Sequence, residues 1–238
     1  MVVIWVLCWK ARILAVLRHP SLAASTSMQL FYDADIDPKL IRTRRVAVLG
    51  FGAQGKAQAA NLKDSGVDVR VGLRAGSASR AAASAAGLQA LGPAEAAAWA
   101  DVVVMLIPDE TQPQIYREAL EPKLKQGATL IFAHGYNIHF KRILPRPDLD
   151  VVMVAPNGIG DQVRIQYQAG HGVPGLVAVQ QDVSGQARAL AFSYGGALGL
   201  GRRVPHVLGQ RQQRRQDDHG QDCRRRCGLH RRRGLRVR

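Results

Sequence analysis

Between residues 28 and 200, short apolar runs alternate with Ala-rich or amphipathic stretches. The runs are rich in Val, Ile and Leu and contain few polar residues, which is typical of strands buried on both faces. We predict strands at residues 45–49, 67–73, 102–107, 129–133, 151–155 and 176–179, and helices at 54–64, 77–86 and 186–199. This alternation indicates a doubly wound α/β domain, with a parallel sheet covered by helices on both faces.

The charge of the chain is concentrated at its two ends. The net charge is +15, yet residues 201–238 hold thirteen arginines against three aspartates, and residues 1–27 hold three basic residues and no acid. The middle of the chain is therefore close to neutral. It also lacks cysteine, which suits a reducing cytoplasm, and no run approaches the ~18 apolar residues that span a bilayer.

We accordingly divide the chain into residues 1–27, 28–201 and 202–238. The first segment is interpreted as an extension before a working start at Met28, with an organellar transit peptide as the alternative. The last segment has no apolar period and no aromatic residue, so we expect it to be disordered or out of frame. An Arg-rich RNA-binding arm is its alternative. The last segment also contains four potential zinc ligands, His219, Cys223, Cys227 and His230. Their spacing does not match the recurrent spacings of structural zinc sites.

A glycine pattern follows the first predicted strand. Gly50, Gly52 and Gly55 form G-x-G-x-x-G between that strand and the next helix, and in this context the pattern indicates a dinucleotide-binding, Rossmann-type domain. The first glycine permits a tight turn, the second lets the backbone approach a pyrophosphate, and the third allows close helix–strand packing. The N–H groups at the start of the helix face the phosphate charge.

The end of the second strand indicates which dinucleotide is bound. An acidic residue there usually accepts hydrogen bonds from the ribose of NAD, whereas a nearby arginine accommodates the 2′-phosphate of NADP. This chain has Arg74, Ser77 and Ser79 in that stretch and no acid. A guanidinium with two hydroxyls matches a phosphate group, so we predict NADPH.

Several longer stretches, in order along the chain, match one family. They include FYDADID, NLKDSGVDVRVGLRAGSAS, DVVVMLIPDETQ, LKQGATLIFAHGYNIHF, DLDVVMVAPNGIG and GVPGLVAVQQDVSGQARALAFSY. From Met28 to about Arg202 the chain resembles the N-terminal domain of ketol-acid reductoisomerase, the acetohydroxy acid isomeroreductase of valine and isoleucine biosynthesis. The resemblance implies an oligomeric, NADPH- and Mg²⁺-dependent enzyme that rearranges and reduces small molecules of the 2-acetolactate class.

The resemblance also implies roles for particular residues. The family's active-site acid corresponds to His134, at the carboxyl end of a predicted strand where a proton donor would face the cofactor crevice. His139 is interpreted as a packing or hydrogen-bonding residue. The cofactor-binding residues correspond to Gly50, Phe51, Gly52, Ala53, Gln54 and Gly55 at the pyrophosphate, Arg74, Ser77 and Ser79 at the 2′-phosphate, Asp109, Glu110, Thr111 and Gln112 in a turn beside the cofactor, and Gly160 near the nicotinamide half.

The sequence departs from the family pattern in two ways. Asn157 stands where the family has lysine, and Asp161, Lys56 and Gln58 stand where it has histidine. The family's second, all-helical domain binds two Mg²⁺ ions and starts with a D-L-F-G-E-Q stretch, which should follow Gly201. Nothing after that residue matches it, so no metal ligand is assigned.

We therefore expect a truncated ketol-acid reductoisomerase domain that binds NADPH without turnover. Two alternatives stay open at this point. One is a different NADP oxidoreductase that takes its substrate domain from a partner chain, and the other is an RNA-binding protein that acts through the Arg-rich tail and binds with a steep salt dependence.

The purified 238-residue chain should accordingly bind NADPH but not convert 2-acetolactate at any Mg²⁺ concentration. In the family, metal ions polarise the carbonyl in the difficult step, whereas acid catalysis by one histidine contributes only ~10²–10⁴-fold. Spectrophotometric measurement of NADPH oxidation checks this expectation. Oxidation that needs both acetolactate and Mg²⁺, and disappears in His134→Ala, would contradict it.

Overall fold

The computed structural model describes residues 29–31, 35–202 and 206–208, and these residues form one nine-stranded sheet. The strands are β1 (Gln29–Phe31), β2 (Arg45–Leu49), β3 (Asp68–Gly72), β4 (Ala90–Leu91), β5 (Val102–Met105), β6 (Thr129–Phe132), β7 (Asp150–Pro156), β8 (Gly175–Gln181) and β9 (His206–Leu208). From one edge of the sheet to the other, their order is β1-β9-β8-β7-β6-β5-β2-β3-β4.

Helices lie in most of the connections between these strands. They are α1 (Lys39–Arg42), α2 (Ala53–Asp64), α3 (Ser79–Ala85), α4 (Pro93–Trp99), α5 (Gln112–Ile115), α6 (Tyr136–His139), α7 (Gly160–Gln168) and α8 (Ala187–Ala197), and a π-helical turn at Tyr116–Leu120 continues α5. Within the described ranges, no helix is both long enough and apolar enough to cross a membrane.

The predicted doubly wound parallel sheet is confirmed for β2 to β7. These six strands run parallel in the order β4-β3-β2-β5-β6-β7. Side chains alternate between two apolar cores, one on each face. Val46 and Val48 of β2 belong to the core that includes α2 and α8, and Ala47 and Leu49 belong to the core that includes α4. Burial on both faces explains the nearly continuous apolar runs in the sequence.

The expectation of an entirely parallel sheet is wrong beyond β7. β8 runs antiparallel to β7, with Pro156 opposite Gly175. The intervening helix α7 packs against α2, and the N–H of Asn157 donates to the Pro174 carbonyl at 2.7 Å. The chain therefore re-enters the sheet at the end where it left, and the next strand has to run in the opposite direction.

β9 lies inside the segment that we expected to lack regular structure. It pairs with β8 and with β1, so that expectation is wrong for residues 206–208. Three residues can join a sheet edge through backbone hydrogen bonds alone, without an apolar period in the sequence. The interpretations of residues 1–28 and 209–238, including the RNA-binding arm and the zinc ligands, lie outside the described residues.

Asp101 joins the starts of several segments at the amino end of the sheet. Its carboxylate accepts hydrogen bonds from the backbone N–H of Arg45 at 3.0 Å, from the side chain of that arginine, and from Lys125 Nζ at 2.7 Å. Burial raises the pKa of this carboxyl, but the bonds from Lys125 and Arg45 outweigh burial and lower the pKa from 3.8 to about 2.

Asp101→Asn should lower the free energy of unfolding by about 1–2 kcal/mol at pH 7. Because the folded-state pKa lies below the unfolded value, this stabilisation is present above about pH 4 and is lost as the pH falls through about 2. Urea unfolding at neutral and at acid pH measures the difference. Asp68→Asn, at an exposed position that starts β3, is the control, and equal effects of the two substitutions would contradict the prediction.

Candidate functional site

A crevice opens at the carboxyl ends of β2 and β5. The two strands are neighbours, but the chain continues from β2 to β3 on one side and from β5 to β6 on the other. The crevice has a volume of about 410 Å³ and is lined by Gly50, Phe51, Gly52 and residues 106–109. Ligands of doubly wound sheets bind at such topological switch points.

The glycine-rich loop at this crevice has no room for a side chain at two of its three glycines. Gly50 has φ of +100°, and a Cβ atom there would lie 2.8 Å from the carbonyl oxygen of Leu106. A Cβ atom on Gly55 would overlap the Gly50 carbonyl, whereas at Gly52 it would meet no atom within 4 Å. The loop is therefore packed against the protein at Gly50 and Gly55, and it is open toward the crevice at Gly52.

The first turn of α2 presents free backbone N–H groups beside this loop. The helix begins after Gly52 with no side-chain cap, and Lys56 N donates to the Gly52 carbonyl at 2.9 Å. The N–H groups of Ala53, Gln54 and Gly55 precede this first helical bond, so they have no acceptor within the helix. With the helix dipole they form a site for an anion such as a pyrophosphate.

Both polar atoms of the Gln54 side chain make hydrogen bonds within the protein. Its Nε2 donates to the Gly158 carbonyl at 2.8 Å, and its Oε1 accepts from Gln58 Nε2 at 3.0 Å. Tyr194 Oη in turn donates to Gln58 Oε1 at 2.6 Å, and burial raises the pKa of this tyrosine, so the hydroxyl keeps its proton. For a cofactor, Gln54 therefore offers its backbone N–H.

Gly160 begins α7 directly against the first turn of α2. A Cβ atom on Gly160 would overlap the Ala53 carbonyl, so the glycine allows two helix starts to meet beside the crevice. Asn157 and Asp161, which depart from the family pattern, are both exposed near this contact, and Lys56 is exposed on α2.

The loop after β3 carries the three residues predicted to bind a 2′-phosphate. Arg74 is exposed, and Ser77 and Ser79 are half-buried. The loop turns back on itself, because Ser77 N donates to the Arg74 carbonyl at 3.2 Å and Ser79 N donates to Ser77 Oγ at 3.4 Å. Since β3 lies parallel to β2 and beside it, this loop and the glycine-rich loop both lie at the carboxyl ends of the strands.

On the other side of the crevice, two amide side chains hold the turn that contains Asp109. Gln112 Nε2 donates to the Ile107 carbonyl at 2.9 Å and to Asp109 Oδ1 at 3.0 Å. Asn137 Nδ2 donates to the Asp109 carbonyl at 3.0 Å and to Gln112 Oε1 at 2.9 Å. The side chain of Gln112 is thus directed into the protein, while Glu110 and Thr111 are exposed.

His134 lies next to this turn and is 53% exposed. Its Nδ1 accepts a hydrogen bond from the backbone N–H of Tyr136 at 3.2 Å and lies 3.6 Å from Asp109 Oδ2. The bond from Tyr136 requires a lone pair on Nδ1, so in the neutral ring the proton is on Nε2. Burial raises the pKa of Asp109, and the positive charges of His134 and Arg142 oppose that shift.

Two residues that support the site were not found from the sequence. Asn137 is fully buried, and Arg80 donates to backbone carbonyls beneath the Arg74 loop. Neither belongs to a motif with a known mechanism, and an asparagine or arginine on a short helix is usually a surface residue. Only their hydrogen-bond partners, which come from distant parts of the chain or from loop backbone, identify them.

Comparisons with known proteins agree with this geometry. The family model of the acetohydroxy acid isomeroreductase NADPH-binding domain matches residues 40–203. A solved NADH-preferring ketol-acid reductoisomerase from an uncultured archaean is 43% identical, with a TM-score of 0.73. The match covers 78% of this chain and 56% of that one, so this chain spans little more than half the length of that relative.

More distant structures share the fold alone. A semialdehyde dehydrogenase NAD-binding protein from Cupriavidus necator, solved with calcium and NAD, is 19% identical with a TM-score of 0.58, covering 71% of this chain and 63% of its own. The pyrroline carboxylate reductase of Plasmodium falciparum, solved with NADP, is 14% identical with a TM-score of 0.53, and the match covers 72% of this chain and 59% of that one.

In the part of this chain that the structure describes, no group of three His, Cys, Asp or Glu residues could hold a metal ion.

Two of the three glycines give a direct test of the crevice. Gly52→Ala should leave the thermal unfolding temperature almost unchanged and weaken dinucleotide binding tenfold or more, because the added methyl group blocks the close approach of a pyrophosphate. Gly55→Ala should instead lower the free energy of unfolding by about 3 kcal/mol or more, since its Cβ atom overlaps backbone. Calorimetric titration and thermal unfolding of both variants measure this. Unchanged cofactor affinity in Gly52→Ala would contradict the assignment.

Proposed function

Because the chain belongs to the acetohydroxy acid isomeroreductase family, we propose that it binds NADPH across the crevice between β2 and β5. The family's NADPH-binding domain accounts for residues 40–203, and a nicotinamide dinucleotide is the cofactor of that domain. The single observation that carries the proposal is the glycine-rich loop, which is open at Gly52 and lies beside the free N–H groups of α2. A pyrophosphate fits there because it satisfies those donors and needs close backbone approach.

The preference for NADPH over NADH is part of the proposal. The solved relative at 43% identity is described as NADH-preferring, so membership of the family does not by itself determine which cofactor is used. The support comes from the loop after β3, where Arg74 is exposed and Ser77 and Ser79 carry hydroxyl groups, with no acidic residue among residues 73–79. A guanidinium and hydroxyls bind a 2′-phosphate, whereas an acidic residue would repel it.

For the reaction, we propose that His134 donates a proton. NADPH, when bound, supplies a hydride to the carbonyl carbon of the substrate, and the oxygen of that carbonyl then has to take up a proton. The doubly protonated ring can provide it and so return to the neutral form, in which Nδ1 accepts the Tyr136 N–H. Asp109 Oδ2 lies 3.6 Å from Nδ1 of the same ring. The amide pair of Gln112 and Asn137 keeps the aspartate in place.

The substrate we propose for a site completed by the family's metal-binding domain is a 2-hydroxy-2-methyl-3-oxo acid of the 2-acetolactate class, and the proposed location is the cytoplasm. Both rest on the family and, for the location, on the lack of cysteine between residues 28 and 200. The family's Mg²⁺ ions do not fit the described residues, since these contain no cluster of carboxylate or imidazole ligands. We therefore assign the described part of the chain cofactor binding and proton donation, and derive no step through the metal.

Arg74→Ala should reduce the preference for NADPH by tenfold or more, because losing one charge-assisted phosphate contact costs about 1.5–3 kcal/mol. The affinity for NADH should stay within about twofold, since NADH has no 2′-phosphate for the arginine to contact. Calorimetric titration of both cofactors into the full chain and into the variant measures the two affinities. Equal affinities for NADPH and NADH in the unaltered chain would refute the assignment.

A further inference from the structure

One side chain, Arg80, makes three hydrogen bonds to backbone carbonyls in and beside the loop that carries Arg74, Ser77 and Ser79. Arg80 Nη2 donates to the Leu73 carbonyl at 2.8 Å, Nε donates to the Arg74 carbonyl at 3.3 Å, and Nη1 donates to the Ala90 carbonyl at 3.4 Å. These carbonyls belong to the residue that follows β3, to the loop itself and to the edge strand β4. Arg80 thereby ties the loop to the two strands beneath it.

The three hydrogen bonds of Arg80 depend on the geometry of its guanidinium group. The planar group presents N–H donors in several fixed directions, so one side chain can reach three separate carbonyls, whereas an ammonium is a single compact point of charge. Arg80 is half-buried, and its bonds to the Leu73 and Ala90 carbonyls are partly buried, which shields these two bonds from competition with water.

The backbone of the loop depends on the same carbonyl. The Arg74 carbonyl accepts from both Ser77 N at 3.2 Å and Arg80 Nε at 3.3 Å, and Arg80 N donates to the Ser77 carbonyl at 3.0 Å. Between these bonds Arg74, Ala75 and Gly76 are all exposed. Without the arginine, the peptide after Arg74 would be held by one turn bond alone.

We propose that Arg80 is a positioning residue for cofactor specificity, which holds residues 74–79 in the shape that receives a 2′-phosphate. The inference rests on the proposed NADPH site. A loop that is ordered before binding loses less conformational entropy when the ligand arrives, and the affinity rises by that difference. The affinity for NADH does not rise when the loop is ordered, because NADH has no 2′-phosphate to place among Arg74, Ser77 and Ser79. The charge of Arg80 also favours the dianionic phosphate, and a lysine at this position separates that effect from positioning.

The test compares Arg80→Met and Arg80→Lys with Arg42→Met in the full chain, by calorimetric titration with NADPH and with NADH. The control arginine donates from Nε to the Ser65 carbonyl at 2.8 Å, outside the loop, so its variant also removes one positive charge and one arginine–carbonyl bond. Arg80→Met should weaken NADPH binding by about fivefold or more and NADH binding by less than about twofold. Arg42→Met should change neither affinity.

Arg80→Lys keeps the charge but cannot reach three carbonyls, so it should resemble Arg80→Met. Full NADPH affinity in the lysine variant would show that charge rather than positioning acts, and it would overturn the inference. Equal weakening of both cofactors in Arg80→Met would also overturn it, because that result indicates a general loss of structure. If the methionine variant does not fold, the lysine variant and amide hydrogen exchange of residues 75–79, expected to accelerate in it, decide the question.

The two proposals fail in different ways. No NADPH preference in the unaltered chain would refute the proposed cofactor itself. A clear NADPH preference that persists in both Arg80 variants would leave the proposed cofactor intact and refute the role of Arg80.

Discussion

Three backbone segments meet at the start of α2 with no space between them for a Cβ atom. Gly50 lies against the Leu106 carbonyl, Gly55 lies against Gly50, and Gly160 lies against Ala53. This contact brings β2, the end of β5 and the start of α7 together around one helix terminus, and the crevice is the space that remains. Because backbone rather than side chains forms its centre, the N–H groups of that terminus are exposed where an anion can reach them.

Polar side chains near the crevice mostly bind the protein rather than project into it. Gln54 and Gln58 form a hydrogen-bonded chain with Tyr194, and Gln112 pairs with Asn137. These buried groups position the backbone of the two crevice walls. The pairing is not complete, since Asn137 Oδ1 is buried with no hydrogen-bond partner among the described residues. Such an unsatisfied atom costs stability, and it lies in the element that positions Asp109 beside His134.

The loops on the two sides of the crevice have different chemistry. The loop after β3 presents Arg74 with two serines, while the turn after β5 presents Asp109 with His134. A dinucleotide with its 2′-phosphate at the first loop, together with a substrate carbonyl that accepts a proton at the second, would match this arrangement. In the proposed binding mode, the choice between NADPH and NADH depends on the loop after β3, and differences in this loop would let relatives with a common fold differ in preference.

Much of the fold and part of the site could be predicted from the sequence. Parallel strands buried on both faces require uninterrupted apolar runs, so the strands at 45–49 and 129–132 were recognised almost to the residue. The glycine spacing is equally informative, because turn, close approach and packing each exclude a side chain. The direction of β8 depended on whether α7 crosses the sheet or packs on α2, and β1 and β9 form by edge pairing. Local sequence carries no signal for either.

Tertiary structure alone decided which polar residues support the site. Gln54, Gln58, Asn61 and Ser65 follow one face of α2, and their partners lie in the segments around α7 and α8, more than a hundred residues further along the chain. Arg80 and Asn137 likewise have no distinguishing sequence context. Residue type and spacing determine which backbone shapes and which charges a segment can offer. Whether a polar side chain faces a ligand or another part of the protein depends on the partners that folding brings within hydrogen-bonding distance.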